Sequence, residues 1–561
     1  MKQKLCRNNL FCAFIVSLSF SVTLLLFPAS DTVLRNSIEF PVSPGNIIIP
    51  IFILSLAISA VVFLFLLICL LISQKLFNSM VCIFFGIILA AYIQLLFFNK
   101  EMVLVNEDAQ IYIERNLHNY SNFIIYYIIL FLPLILYFAK KSYKAAFYKY
   151  FTRTNLSIAS AIIIAMQTVG ICSSIPNIHK FDESQYTEYL SYEPFTSLSK
   201  EKNIIIFIFD RMDGQWMQET EKEYPDLYDK LDGFTFYSDN TSLYTQTFPA
   251  VPHLLTGKKY TVSNQYTYLK SAWGDAYLPD KLHNNGFKIN YALESSTSYG
   301  CISNLYGKCD NIKSADCGYT LNYSNYGGII PTMSMMALSE ALPYFMKPVA
   351  ADSIPTDFTN RFVILNKKPN DKMEYSISSE TDKSFSDYID SHALNADNSS
   401  KVFNFVHFIG AHDSTANKTE SLYTDFKIVS DYIEQMKKIG VYDNSTIIIL
   451  GDHGRPPSWE SPNGKLTKAI TTAILIKPEN ARGKLQNNST AQLSHEFFPA
   501  SILEYAGIDH SEYGYSYNDI ITNGLVVTRK LESYEIPENI LKAEINGDST
   551  DFSNWNCKYS K

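Results

Sequence analysis

The sequence predicts an α/β protein held in a membrane: five N-terminal transmembrane helices followed by a large α/β domain outside the cytoplasm. Three features support this prediction. Apolar residues crowd into the first 175 of 561 positions, the loops between apolar runs alternate in charge, and strand-like and helix-like patterns alternate in the rest of the chain. With 47% hydrophobic and 18% charged residues, the composition excludes a disordered protein, a collagen and a small disulfide scaffold.

Each of five long apolar runs approaches the roughly 20 residues that a helix needs to cross the hydrocarbon layer. Basic residues are concentrated before the first run and after the second and fourth, whereas Asp and Glu are concentrated in the alternate loops. The positive-inside rule therefore predicts a cytoplasmic N-terminus and an extracytoplasmic location for everything after about residue 176. The runs lie at about residues 10–27, 47–73, 78–98, 121–139 and 155–175.

Two alternatives concern this membrane segment. A cleavable signal peptide also has a basic start and small residues after its apolar stretch, as Ala29 and Ser30 are here, but the first run is long for such a peptide. A transporter usually places charges inside its transmembrane helices, and the five runs contain none. We therefore interpret the segment as an anchor.

The charge of the chain is divided unevenly. The first 175 residues hold 12 Lys and Arg against 6 Asp and Glu, so their net charge is +6. Because the whole chain carries -8, the other 386 residues carry -14. An acidic outer domain argues against nucleic acid as a partner. Four of the nine cysteines, Cys301, Cys309, Cys317 and Cys557, lie in this domain, where two disulfides are possible in any of three pairings. Their spacing matches no common zinc site, so we expect structural bridges.

Residues 176–200 are polar and are interpreted as a linker. Four uninterrupted apolar segments of strand length follow, as is typical of a sheet covered on both faces in a parallel α/β fold. We therefore expect a transmembrane domain over 1–175, one α/β domain over 201–525 and a tail over 526–561. The strand-like segments are 203–209, 402–408, 445–451 and 472–477, and helical patterns cover 279–286, 423–440 and 494–507.

Polar residues follow three of these strands. Asp210 ends the first, His412 and Asp413 follow the second, and Asp452 and His453 follow the third. Each alone is explained by a turn, a helix cap or a surface histidine. Ligands of open α/β sheets collect beyond the carboxyl ends of strands, and together these oxygen and imidazole groups suit a divalent metal such as Zn or Mn.

A further candidate is Thr247, which stands just before a predicted helix start with Pro249 near the first turn. Taken alone it is explained as an N-cap. The positive end of a helix also favours a phosphate, and a cation held by Asp210, Asp452 and His453 lowers the pKa of a neighbouring hydroxyl. Thr247 is therefore a candidate nucleophile.

These segments, in order, resemble the alkaline phosphatase and sulfatase superfamily: FIFD, TFPAVP with LLTG, FVHFIGAH, YDNSTIIILGDHG and SHEFFPASILEYAGI. The resemblance implies a three-layer α/β/α domain like that of alkaline phosphatase. Five N-terminal membrane helices narrow it to lipoteichoic acid synthases and lipid A phosphoethanolamine transferases. It covers the chain up to about residue 525, and DHG after an apolar strand is its most specific part.

The resemblance implies that Asp210, Thr247, Asp452 and His453 bind one divalent metal and that Thr247 is the nucleophile. Asp210 departs from the two membrane-bound groups, which have Glu there, and follows the wider superfamily. Thr245 is the alternative nucleophile, with equal chemistry.

The paired histidines of the middle strand fall on His407 and His412. The resemblance implies that both contact the substrate and that His412 touches phosphate and stabilises the charge that develops during the reaction.

The implied activity is the transfer of phosphoethanolamine or phosphoglycerol from a membrane phospholipid to an extracytoplasmic glycan or lipid, through a phospho-Thr intermediate. The implied location is the bacterial plasma membrane, with the catalytic domain on the periplasmic or extracellular side. A hydrolase, with water as acceptor, and a non-catalytic protein of the same fold are the alternatives.

Two other chemistries fit the residues less well. A sulfatase needs a Cys or Ser in a motif like Cys-x-Pro-x-Arg, where this chain has Thr-Phe-Pro-Ala. A two-metal phosphodiesterase needs further ligands, for which His412, Asp413 and His495 are available, but its Asp-x3-His arrangement is missing. We therefore expect one metal.

Overall fold

The computed structural model divides into two compact units. The first comprises Met1–Phe181 and Thr320–Lys367, and the second Asp182–Tyr319 and Lys368–Lys561. Structure is described for residues 7–37, 40, 42–99, 120–139, 152–177, 188–260, 265–314, 320–347, 361–366, 381–397, 400–410, 418–454, 471–533 and 540–560.

Five helices of the first unit are long and apolar enough to cross a membrane, which confirms the predicted number. Two pairs of buried polar side chains bond to each other between these helices, which satisfies groups that have no water to bond to in a membrane. Thr23 bonds to Gln167 at 3.2 Å, and Asn122 donates to Gln94 at 2.8 Å. The helices are Arg7–Arg35 (α1), Pro44–Ile72 (α2), Gln74–Phe98 (α3), Tyr120–Phe138 (α4) and Arg153–Ser174 (α5).

Residues Thr320–Lys367 belong to this first unit and not to the second, although the sequence pattern placed them in the α/β domain over 201–525. This stretch contains a helix, Tyr326–Ala341, and an antiparallel strand pair, Thr320–Ser324 with Val363–Asn366. We call Tyr326–Ala341 the returning helix. Its apolar side chains Ile329, Met333, Met336 and Ala337 share a buried cluster with Leu25, Ala29, Val33, Ile47 and Ile51 of α1 and α2.

The second unit is built on an eight-stranded sheet. Its strands are Asn203–Phe209 (β1), Thr235–Thr241 (β2), Phe287–Ala292 (β3), Lys401–Phe408 (β4), Ser445–Gly451 (β5), Thr471–Lys477 (β6), Gln486–Asn488 (β7) and Leu493–Ser494 (β8). Their order in the sheet is β7-β2-β6-β5-β1-β4-β3, with β8 also paired to β2. All neighbours of β1 and β4 are parallel, whereas β6 runs antiparallel to both β5 and β2. The four predicted strands are present as β1, β4, β5 and β6.

Helices cover both faces of this sheet, so the predicted three-layer α/β/α class is confirmed. The helices are Gly214–Glu223 (α6), Thr247–Thr256 (α7), Gln265–Gly274 (α8), Tyr277–Asn284 (α9), Thr381–Ser391 (α10), Lys418–Lys438 (α11), Phe498–Tyr505 (α12) and Tyr517–Asn523 (α13). Alternate residues of β1 enter two separate cores. Ile204, Ile206 and Ile208 pack with α7, α9 and α12, whereas Phe207 and Phe209 pack with α6, α10 and α11.

The predicted linker and tail both contain regular structure. In the linker range, Glu188–Leu190 pairs with Ile312–Ser314, and Ser197–Ser199 with Asn395–Asp397. In the tail range, three antiparallel strands form a separate sheet. They are Arg529–Ser533 (β9), Ile540–Ile545 (β10) and Trp555–Ser560 (β11).

The expected structural bridges are not formed by two of the external cysteines. Cys309 and Cys557 are free thiols. Cys309 is buried in the core beside β3, and Cys557 packs on the apolar cluster of the tail sheet, so both serve as small apolar side chains. Cys317 lies outside the described residues.

Candidate active site

Two buried carboxylates meet at the carboxyl edge of the sheet. β1 and β5 are parallel neighbours with Phe209 opposite Gly451, so the residues that follow them, Asp210 and Asp452, emerge side by side. A Cβ added to Gly451 would lie 2.2 Å from the Met212 carbonyl oxygen. Only glycine allows this close approach of the two strand ends.

Asp210, Asp452 and His453 form a compact cluster. One ligand atom from each lies within 4.8 Å of the others, and all three residues are buried. His453 Nε2 is 3.7 Å from Asp210 Oδ1 and 3.5 Å from Asp452 Oδ2. The structure brings these three predicted residues together, and they offer the mixed oxygen and imidazole set that suits Zn or Mn.

The cluster is electrostatically unsatisfied by the protein alone. Asp210 Oδ1 and Asp452 Oδ2 are buried and have no hydrogen-bond partner among the described residues. Burial, and next the charge of Asp452, raise the pKa of Asp210 well above its usual value. Burial also lowers the pKa of His453, which favours the neutral imidazole that binds metals. Two facing carboxylates with orphan oxygens and a neutral histidine fit a divalent cation.

The other carboxylate oxygen of Asp452 is held by the backbone. Burial acts to raise the pKa of Asp452, but His453, His407 and the Arg211 amide lower it overall. Oδ1 accepts the N–H groups of Arg211, at 2.9 Å, and His453, at 2.8 Å. Arg211 has φ 60°, the left-handed region that side chains other than glycine rarely adopt. Nothing in the sequence signals this contribution.

Thr247 lies at the start of α7 with its hydroxyl facing the cluster. Its Oγ1 is 3.4 Å from both Asp210 Oδ2 and His453 Nε2. Thr247 makes no capping hydrogen bond: Gln246 is the N-cap residue, and Phe248 and Pro249 have non-helical dihedrals. Thr247 is half-buried, and its hydroxyl is directed at the cluster.

The alternative nucleophile has a different environment. Thr245 is 5% exposed, and its hydroxyl donates to Ser533 Oγ at 3.0 Å.

Two more histidines lie beside the cluster. His407, on β4, is 3% exposed, and neither of its ring nitrogens has a hydrogen-bond partner among the described residues. His495 is buried, with Nε2 3.4 Å from Thr472 Oγ1. Burial lowers the pKa of His495 to about 3, against the opposing charge of Asp452. His412 and Asp413 lie outside the described residues.

Sequence comparisons give no assignment: no model of a protein family and no curated protein matches the chain. Solved structures that resemble it are proteins of the alkaline phosphatase superfamily, the superfamily named by the sequence resemblance. One is an alkaline phosphatase superfamily protein from Vibrio parahaemolyticus, 12% identical, with a TM-score of 0.39 over 68% of this chain and 87% of that one.

Two other solved structures resemble the chain at a similar level. The lipoteichoic acid synthase LtaP from Listeria monocytogenes is 11% identical, with a TM-score of 0.33 over 63% of this chain and 86% of that one. The periplasmic domain of EptC from Escherichia coli is 11% identical, with a TM-score of 0.31 over 61% and 91%. Likeness this remote carries no conclusion about the activity of this chain.

Proposed function

We propose that this protein is a membrane-held, metal-dependent phosphotransferase that moves phosphoethanolamine or phosphoglycerol from a phospholipid to an extracytoplasmic glycan or lipid. The observation that carries the proposal is the Thr247 hydroxyl, 3.4 Å from both Asp210 and His453 of a buried Asp-Asp-His cluster. The five helices that can cross a membrane support a donor that lies in the membrane.

Asp210, Asp452 and His453, together with the Thr247 hydroxyl, are proposed to hold one divalent cation, Zn or Mn. Such a cation lowers the pKa of a nearby hydroxyl and offsets charge on phosphoryl oxygens. Thr247 Oγ1 attacks the phosphorus, and the bond from phosphorus to the diacylglycerol oxygen breaks. The proton that the Thr247 hydroxyl loses balances the one that the leaving diacylglycerol oxygen takes up, and phosphoethanolamine or phosphoglycerol stays bonded to Thr247.

In the second step, the phosphate-linked headgroup passes from Thr247 to a hydroxyl of the acceptor. A hydroxyl of the acceptor attacks the phosphorus of phospho-Thr247, which restores the threonine hydroxyl and completes the transfer. His407 and His412 are proposed to contact the phosphoryl group during both steps, and His412 to stabilise the charge that develops in the transition state. Imidazoles beside a developing negative charge stabilise it most where water is excluded.

The first test is the mass of the peptide that contains Thr247. Purified protein is incubated with a mixed bacterial phospholipid extract and quenched with acid. We expect an added phosphoethanolamine or glycerophosphate, which identifies both nucleophile and donor. Thr247→Ala should show no adduct, and the matched variant Thr245→Ala should keep it on Thr247. An unmodified wild type with metal bound and lipid unconsumed contradicts this donor class and favours a non-catalytic protein.

Product analysis separates transfer from hydrolysis. With a glycan or glycolipid acceptor present, a transferase gives the modified acceptor. A free headgroup phosphate that forms equally with and without the acceptor would identify a hydrolase that uses the same residues.

A further inference from the structure

An acidic cavity of about 620 Å³ lies between α10 and α11, and none of its lining residues belongs to the Asp-Asp-His cluster. Two lysines, Lys383 and Lys427, also line it, so negative charge predominates. Among the described residues that line it, none is a histidine or a cysteine. Its carboxylates are Asp382, Asp387, Asp390, Glu420, Asp425 and Asp431.

Asp425 is the anomaly in this cavity. It is 1% exposed, and its Oδ2 has no hydrogen-bond partner among the described residues. A buried carboxylate is costly unless it is paired or coordinates a metal. Burial, and next the charge of Asp382, raise the pKa of Asp425 well above its usual value. The buried Oδ2 of Asp425 is therefore an oxygen that a cation would pair with.

Asp382 faces the same space and is held rigidly. Its carboxylate accepts the Ile409 N–H at 2.9 Å and the Gly410 N–H at 2.5 Å. A Cβ added at Gly410 would lie 2.8 Å from Asp382 Oδ2 and 3.0 Å from Asp425 Oδ1. Oxygens of two carboxylates thus converge on one space beside a glycine at the end of β4.

We propose that Asp425 and Asp382 bind a divalent cation with hard oxygen ligands, calcium, in this cavity. Ca²⁺ takes six to eight oxygens in flexible geometry, which carboxylates, backbone carbonyls and water supply together. The ligands offered by the described lining residues are oxygens, which suit calcium better than zinc. The site is independent of the proposed transfer reaction, and it ties α10 and α11 to the end of β4.

Calcium binding to the full-length protein, purified in detergent and dialysed against calcium-free buffer, tests the proposal. We expect one calcium with a dissociation constant of about 10⁻⁴ to 10⁻³ M, the range of extracellular calcium modules. Asp425→Asn should weaken binding at least tenfold. Gly410→Ala should weaken it too, because the methyl group enters the space between the carboxylates.

Two control variants isolate the site. Asp431→Asn alters a lining carboxylate that is half exposed and pairs with Lys230, and it should bind calcium as the wild type does. Asp210→Asn removes a carboxylate of the Asp-Asp-His cluster and should also leave calcium binding unchanged. Far-ultraviolet circular dichroism shows that each variant is folded.

The proposal is overturned by a wild type that binds no calcium at concentrations well above that range, or by Asp425→Asn binding as the wild type does. The proposal is also overturned if Asp425→Asn unfolds at a higher temperature than the wild type and calcium changes the unfolding temperature of neither protein. A proton shared by Asp382 and Asp425 then explains the buried pair.

Discussion

The Thr247 hydroxyl is directed at two metal-ligand candidates because α7 does not begin as a regular helix. Phe248 and Pro249 have non-helical dihedrals, and the Thr247 side chain is therefore not used as a cap. The same hydroxyl in a regular N-cap would bond to the helix backbone. A small local irregularity thus leaves this hydroxyl beside the Asp-Asp-His cluster and not on the helix backbone.

Asp452→Asn tests the metal site directly. An amide replaces a ligand that faces His453 and Asp210, so we expect metal affinity to fall at least tenfold. Metal content of protein purified without chelator, measured by elemental mass spectrometry, should drop well below that of the wild type. The surface variant Asp443→Asn should retain full content. Equal metal in Asp452→Asn and wild type would place the ion elsewhere.

We expect the unfolding free energy to depend on pH through His253. Burial lowers its pKa from 6.5 to about 4, so between these values the unfolded chain binds a proton that the folded chain does not. Above pH 6.5 His253 is neutral in both states and the unfolding free energy is undiminished. As the pH falls from 6.5 towards 4, protonation of His253 in the unfolded chain lowers the unfolding free energy by about 3 kcal/mol. Unfolding free energy of the wild type should therefore fall more steeply over this range than that of His253→Gln. Parallel curves contradict the assignment.

At the scale of elements, the tail sheet supports the segment that leads to Thr247. The Glu532 N–H donates to the Leu243 carbonyl at 2.7 Å, and Tyr244 forms a parallel bridge with Glu532. Thr245 bonds to Ser533. β9 therefore fixes the loop between β2 and α7 from outside the central sheet.

The buried pair Arg529 and Asp239 fastens this sheet to β2. The guanidinium bonds to both Asp239 oxygens, at 2.8 and 3.2 Å, and is fully buried. Arg529→Met leaves a buried carboxylate unpaired, so we expect a loss of about 3 to 5 kcal/mol in unfolding free energy. The matched variant Arg482→Met removes an exposed partner of Asp443 and should cost below about 1 kcal/mol. Denaturant unfolding of both variants compares them.

The local sequence pattern predicted the central strands, because burial on both faces makes β1 and β5 continuously apolar. It also indicated the residues of the Asp-Asp-His cluster, because a polar residue after each strand marks the strand end. The antiparallel direction of β6 was not predictable, because burial does not depend on direction. Partners distant in sequence, such as Arg529 with Asp239 or the returning helix with α1, leave no local signal.

At the scale of the molecule, the positive-inside pattern predicts that the second unit lies outside the cytoplasm. A reporter enzyme that needs disulfides for activity, fused after Lys561, should be active in cells, because disulfides form outside the cytoplasm. The same reporter fused in the basic loop between α4 and α5 should be inactive. The opposite pattern contradicts the orientation and, with it, the extracytoplasmic acceptor.

The returning helix also decides how the chain divides into fragments. Since Thr320–Lys367 belongs to the first unit, no single cut separates the two units. A fragment that begins at Asp182 carries Ile329, Met333 and Met336 without the side chains that bury them, and exposed apolar surface of this kind promotes aggregation. Water-soluble expression of the second unit therefore calls for a short polar replacement of residues 320–367 as well as removal of the first 181.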